Sequence, residues 1–337
     1  MSAWAAFRAG IRRVNSAPMV LAGLFLLTLF VALPLSIALS QMIEAQLGDS
    51  LVSETLVTGA SYDWWQEFSS QASGLGTTFV PSIVGFAAVL TNLNAILDNI
   101  PMATTIAGVT SAWLVLWSFL SGGVLDRYAR QRPTRAHGFF AACGAHFWRF
   151  LRLGVIAWFV YWALFADIHV WLFDELYPWL TRDVSVERTA FGIRLALYLV
   201  FGALLVAVNL VFDYARIRII VEDRLSAIGA LLAAVRFVSR HPRTLMLYGL
   251  NALTFIVVVL LYAIVVPGVR GGLAFWLAFA IGEVYILARH YLKLLFYASQ
   301  TAFFQSALAH VDYTAAPAVV WPDSPAAESI GNASTTL

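Results

Sequence analysis

Charge is scarce in this chain of 337 residues. Only 12% of positions are Asp, Glu, Lys or Arg and 61% are hydrophobic, where a typical soluble domain carries roughly 25% charge. A soluble fold cannot hide several apolar runs of about 20 residues each, so a soluble globular protein is excluded. Lysine is nearly missing: of 21 basic residues one, Lys293, is lysine. Cysteine occurs once, at Cys143, which excludes an intrachain disulfide and any C-x-x-C metal or redox pair. Catalytic signatures are missing as well. There is no G-x-S-x-G elbow, no H-E-x-x-H and no phosphate loop, and Gly74-Leu-Gly76 lacks the third glycine of a dinucleotide fingerprint. The six histidines are scattered; none pairs with another at ligand spacing, so neither a metal nor a cofactor is expected. Nucleic acid is not an expected partner, because the arginines follow apolar boundaries and form no single basic patch.

What the chain does contain is a unit met three times, a short basic amphipathic stretch leading into a long apolar one. Trp4–Arg13 leads into Met19–Leu39, Phe139–Arg152 into Leu153–Phe165, and Leu231–Arg240 into Leu245–Val266. Each copy predicts a helix lying at a membrane surface and then turning to cross it. In the third, a helix over 225–240 carries Leu225, Ile228, Leu231, Leu232 and Val235 on one face, and Pro242 then breaks it. Pro18 follows the first stretch in the same way. Arg8, Arg12, Arg13, Arg149, Arg152, Arg236 and Arg240 are the expected contacts to anionic lipid headgroups, each worth about 1 kcal/mol near the surface. Simple structural anchoring would use the same residues.

Six spans are predicted, at about 18–40, 103–125, 151–172, 191–212, 244–266 and 272–293. The segments 1–17, 126–152 and 213–243, with the end of the last span, hold 17 of the 21 Lys and Arg residues. The opposite segments hold Arg182, Arg188, Arg194 and Arg270, and 41–102 has no basic residue. The positive-inside rule then puts both termini in the cytoplasm, with a bacterial inner membrane as the expected location. The N-terminal apolar run is too long for a signal core of roughly 7–15 residues, so an uncleaved first span is expected. Phe79–Leu97 is read as an outer-surface helix or a re-entrant segment, since a seventh crossing would put the basic 126–152 outside. The acidic 41–102 segment is either a cap that docks a partner or a solvated loop anchored by Tyr62, Trp64 and Trp65. The fold class is therefore all-α integral membrane: a six-helix transmembrane bundle with three cytoplasmic amphipathic surface helices and an outer helical or loop cap. Residues 1–310 form a single transmembrane domain, and 311–337, rich in Ala, Pro, Ser and Thr, a disordered cytoplasmic tail.

Polar residues inside spans mark candidate chemistry, because a mid-span charge costs roughly 2.5–3.5 kcal/mol on the insertion scale. Glu283 lies near the middle of the last predicted span and His290 falls seven residues on, along the same helical face. Asn209, Asp213 and Arg216 share a face of the fourth span, and Asn251 sits in the fifth. Together they would form a polar intramembrane site that moves a proton or binds a headgroup; interhelical hydrogen bonding would employ the same residues.

The stretch Val221-Glu-Asp-Arg-Leu-Ser-Ala-Ile-Gly-Ala-Leu231, placed between a span and an amphipathic helix, resembles a loose group of bacterial polytopic proteins. The group includes the membrane domain attached to some glycerophosphodiester phosphodiesterases and Yip-like proteins of similar architecture. The resemblance implies a helical membrane module concerned with lipids or with a partner, and no catalytic residues, since no segment is long enough for the phosphodiesterase barrel. The expected function is non-catalytic: organising lipid or scaffolding a membrane complex, with membrane lipids and a membrane protein or second copy as partners. A transporter or permease subunit with its site around Glu283 is the alternative, and a membrane-embedded enzyme using Asp126 or Asp213 a third.

Overall fold

The computed structural model describes residues 1–48, 61–79, 93–101, 104–133, 135–265 and 274–315. Among them every regular element is helical. A short α1 (Ala3–Asn15) precedes α2 (Pro18–Leu47) and α3 (Tyr62–Gln71). The long α4 (Thr104–Arg130) is followed by α5 (Ala136–Ala163), which runs on through two π-helical stretches, Leu164–His169 and Trp171–Leu176, to a last turn at Tyr177–Thr181. Then come α6 (Glu187–Val221), α7 (Ala227–Arg240), α8 (Arg243–Val265) and α9 (Ala274–Ala315).

Five of these, α2, α4, α5 with its continuation, α6 and α8, are long and apolar enough to cross a membrane. That is the make-up of a multi-pass membrane protein. Their flanks carry large exposed apolar side chains such as Phe30, Leu199, Trp158 and Ile264, a surface that water would not tolerate. The sixth expected span, 272–293, corresponds to the first half of α9. Its first two residues lie outside the described ones, and the part within α9, which carries Glu283, Arg289, His290 and Lys293, is not among the five found in the described residues. Residues 80–92, most of the expected outer-surface or re-entrant segment Phe79–Leu97, lie outside the described residues, as do 49–60 of the expected cap and the tail beyond Ala315. Helix α2 continues through Leu47, beyond the expected end near 40, and α9 continues through Ala315, past the expected start of the tail.

The three repeats do not fold alike. The first and third break where expected. Pro18 opens α2 immediately after α1, and the chain turns at His241 and Pro242 between α7 and α8. The second does not break: the basic stretch around Arg149 and Arg152 is the first half of the continuous α5. The reason is local. No proline occurs between Ala136 and Tyr177, so nothing removes a helical hydrogen bond where a turn was expected. Two separate short helices replace the three.

The larger core sits at the end of the bundle where the basic residues concentrate, and a smaller one of Leu164, Leu172, Leu197 and Phe201 lies between α5 and α6. In the larger one the last turns of α4 and α6 meet the second half of α9, and α1 and α7 cover them. Leu125, Tyr128, Tyr214, Ile217, Leu294 and Phe304 are fully buried. Close approach needs small residues. A Cβ on Gly10 of α1 would sit 2.7 Å from the Ser299 Cβ of α9, and one on Gly123 of α4 would sit 2.6 Å from the Cys143 Sγ of α5. Arginines lock the ends of the helices together. Arg13 donates to the Tyr128 carbonyl in the last turn of α4 (3.1 Å), and Arg127 donates to the carbonyl of Ser16, the residue that ends α1 (3.0 Å). Each guanidinium thus meets the negative pole of the other helix.

Candidate functional site

At the centre of this packed end lies a polar cluster contributed by α4, α6 and α9. Asp213 and Arg216, one turn apart on α6, form an ion pair of 3.2 Å, with side chains 7% and 24% exposed. Arg216 also donates to the Tyr297 hydroxyl (3.2 Å), which accepts from Trp117 Nε1 as well (3.2 Å). Gln300 donates to the second Asp213 oxygen (3.4 Å), while its own Oε1 is buried without a partner among the described residues. Lys293 places its ammonium over the Trp117 ring, 3.4 Å from the centroid. The sole lysine of the sequence is thus held against an aromatic face in a cation–π contact. Counted over these groups, two cations face one carboxylate. The excess positive charge is held by an indole face, a phenol and an amide.

The helical periodicity of α9 builds half of this cluster. Lys293, Tyr297 and Gln300 stand at i, i+4 and i+7, on one face. Asp213 and Arg216 supply the facing i, i+3 pair from α6, and Trp117 closes the group from α4.

The residues expected to form one intramembrane site separate into five places. Asp213 and Arg216 join the cluster. Asn209 donates instead to the Tyr248 hydroxyl of α8 (3.0 Å), and Asn251 donates to Ser299 Oγ (3.0 Å), each tying a pair of helices together. Glu283 is half-buried and makes no hydrogen bond or ion pair among the described residues. At 1.5 Å rise per residue it stands about 15 Å along α9 from Lys293. His290 keeps a buried Nε2 without a partner among the described residues. Trp117, Tyr297 and Gln300 were not expected. The available signals were the solitary Lys293 and the polar spacing after it, which lay past the last predicted span.

The expected headgroup arginines also divide. Arg8, Arg12, Arg152, Arg236 and Arg240 are exposed. Arg13 is engaged with Tyr128, and Arg149 is bridged to Asp223. Helix α7 is two-faced. Ala227, Ala230, Ala234 and Phe237 are buried in the core, where Phe237 packs on Tyr214 and Phe304. Of the five residues expected together on one apolar face, Leu225, Ile228, Leu232 and Val235 are exposed, while Leu231 is partly buried against the core.

A groove of about 360 Å³ runs along the flank between α5, α6 and α8, lined by Ile96, Tyr161, Phe165, Leu205, Asn209 and Tyr248. At its far end, a π-helical stretch of α5 leaves the Phe165 carbonyl free to accept from Asn99 (3.2 Å), and His169 meets the Leu97 carbonyl (2.7 Å). Tyr198 bonds the Asp98 carboxylate beside Arg194. Among the described residues no group of three or more His, Cys, Asp or Glu side chains is arranged to hold a metal ion. No protein-family model, curated protein or solved structure matches the chain.

Proposed function

We propose that this is a non-catalytic multi-pass protein of a bacterial inner membrane that gathers anionic lipid around its cytoplasmic face and can present that face to a membrane partner or a second copy. The observation that carries the proposal is the two-faced α7. Its small-residue face is committed to the core. Its Leu/Ile/Val face is exposed and is followed by exposed Arg236 and Arg240. An aliphatic face edged by arginines is what an interfacial helix offers to acyl chains and phosphates. The two short helices, α1 and α7, supply such edges at the end where 17 of 21 basic residues lie. The polar cluster supports the non-catalytic reading, because its ion pair, phenol, indole and amide bond mainly to one another and none is a paired nucleophile and base.

The test is reconstitution of the full chain in phosphatidylcholine nanodiscs containing spin-labelled phosphatidylglycerol, reading the fraction of label that is motionally restricted. At about 1 kcal/mol per basic residue, Arg236→Gln with Arg240→Gln should weaken that association roughly thirtyfold at low salt. An unchanged preference for the anionic lipid would sink the proposal. The transporter alternative is supported by the half-buried excess charge at Arg216 and Lys293 and by the groove lined by Asn209 and Tyr248, rather than by Glu283. In that reading Asp213→Asn stops flux and Glu283→Gln leaves it unchanged.

A further inference from the structure

A second cavity, of about 550 Å³, opens at the basic end between α4, α5, α6 and α9, lined by Arg130, His146, Arg149, Asp223 and Gln305. Of its charged groups Arg149 is held in the wall, while Arg130, at 60% exposure, and Asp223 reach into solvent. Arg149 is 18% exposed, whereas the Asp223 carboxylate bridging it is 76% exposed. Asp223 follows the end of α6 on a loop, in the left-handed region at φ 50°, and its side chain can swing into solvent without disturbing packing. Arg130 spends its Nε on Asp126 (2.6 Å). A guanidinium has five N–H groups, so both arginines retain donors beyond these bridges. His146 is 7% exposed and its Nδ1 has no partner among the described residues. Gln305 is held in place by donating to the Ala129 carbonyl (2.9 Å).

We propose that this cavity binds a phosphate group, and that the Asp223 carboxylate is an internal stand-in that the phosphate displaces from Arg149. Two guanidiniums about a pocket match the bidentate geometry of a phosphate ester, which lysines would not. The buried imidazole adds a donor from the floor. The ligand chemistry is a phosphomonoester or phosphodiester, carried either on a lipid headgroup or by a free anion. The lipid source rests on the membrane reading above; the free-anion source does not.

The experiment uses the full chain in an uncharged detergent, with unfolding followed by a thiol-reactive dye on the single, buried Cys143. The probes are inorganic phosphate and dihexanoyl phosphatidylglycerol, each against sodium chloride of equal ionic strength. Stabilisation by phosphate identifies a free-anion site, and stabilisation by the short-chain lipid alone identifies a headgroup site. Asp223→Asn removes the competing charge with a residue that tolerates positive φ, and should bind the effective probe about tenfold more tightly. Arg149→Gln should abolish the shift. If that variant fails to fold, the gain in Asp223→Asn remains as the independent arm. No shift with either probe in both wild type and Asp223→Asn overturns the proposal, as does a shift that survives Arg149→Gln. The pair Arg236→Gln and Arg240→Gln should leave this shift intact. If it does so without altering lipid association in nanodiscs, the lipid-gathering reading fails while the pocket stands.

Discussion

Neutralising Asp213 should damage the protein more than removing either of its cationic neighbours. The carboxylate is 7% exposed and is the anion of a group that also holds Arg216 and Lys293. Asp213→Asn keeps the shape and the amide can still hydrogen-bond, so what disappears is the charge. Two half-buried cations are then left facing one another across Trp117 and Tyr297. Breaking a buried pair by removing one partner costs about 3–5 kcal/mol, because the remaining charge is uncompensated. Arg216→Met is milder. Asp213 keeps Gln300 at 3.4 Å and stays within electrostatic reach of Lys293. The loss is that of charged hydrogen bonds, about 1.5–3 kcal/mol. Lys293→Met is milder still. It removes the cation–π contact but also the repulsion with Arg216, and should lie within about 1 kcal/mol of wild type, as apolar replacement of a buried charge often does. The assay is the unfolding free energy from reversible SDS titration in mixed micelles, run on all three variants. The expected order is Asp213→Asn, then Arg216→Met, then Lys293→Met. A Lys293→Met variant as unstable as Asp213→Asn would refute the two-to-one charge count.

Two further outcomes are expected. Gly123→Ala forces its new Cβ onto Cys143 Sγ and to 2.9 Å from the Phe139 carbonyl, whereas Gly108 has nothing within 4 Å. The first substitution should cost about 1–3 kcal/mol of overpacking strain and speed maleimide labelling of Cys143. Gly108→Ala should be neutral or stabilise by up to about 1 kcal/mol through helix propensity, and equal labelling rates in the two would contradict the close α4–α5 contact. Arg149 holds the Asp223 carboxyl below its usual range by hydrogen bonding and charge. The folded-state value being the lower one, the bridge contributes fully above the ordinary aspartate range and is lost as the pH falls through that folded value. Protection against hydrogen exchange at residues 222–226, taken relative to the intrinsic rate at each pH, should therefore fall at acid pH in wild type and stay flat in Asp223→Asn. The same acid response in both would assign the change to another group.

Much of the fold was legible because lipid and water impose coarse rules that a single sequence must obey. Long apolar runs at Met19–Leu39, in α6 and in α8 could be placed from length alone, and Pro18 and Pro242 fixed the two sharp breaks. The basic and acidic segments sorted into two classes for the same reason. The second repeat misled, since an amphipathic stretch states which side is polar and not whether the chain bends after it; without a proline, α5 runs straight through. The polar site misled more. Periodicity shows which residues share a face of one helix, as it did for Asp213 and Arg216 and for Glu283 and His290. It does not show which faces meet.

That the chain is helical, apolar enough to cross a membrane several times, and basic in alternate segments was determined by the sequence itself, because hydropathy and helix breaking act over a few neighbouring residues. Only the tertiary structure decided that α9 lends Lys293, Tyr297 and Gln300 to Asp213 and Arg216, and that Glu283 stands apart. It alone turned one side of α7 inward and set Asp223 against Arg149. Those pairings depend on helix rotation and close approach, which are settled by glycines such as Gly10 and Gly123 meeting side chains distant along the chain.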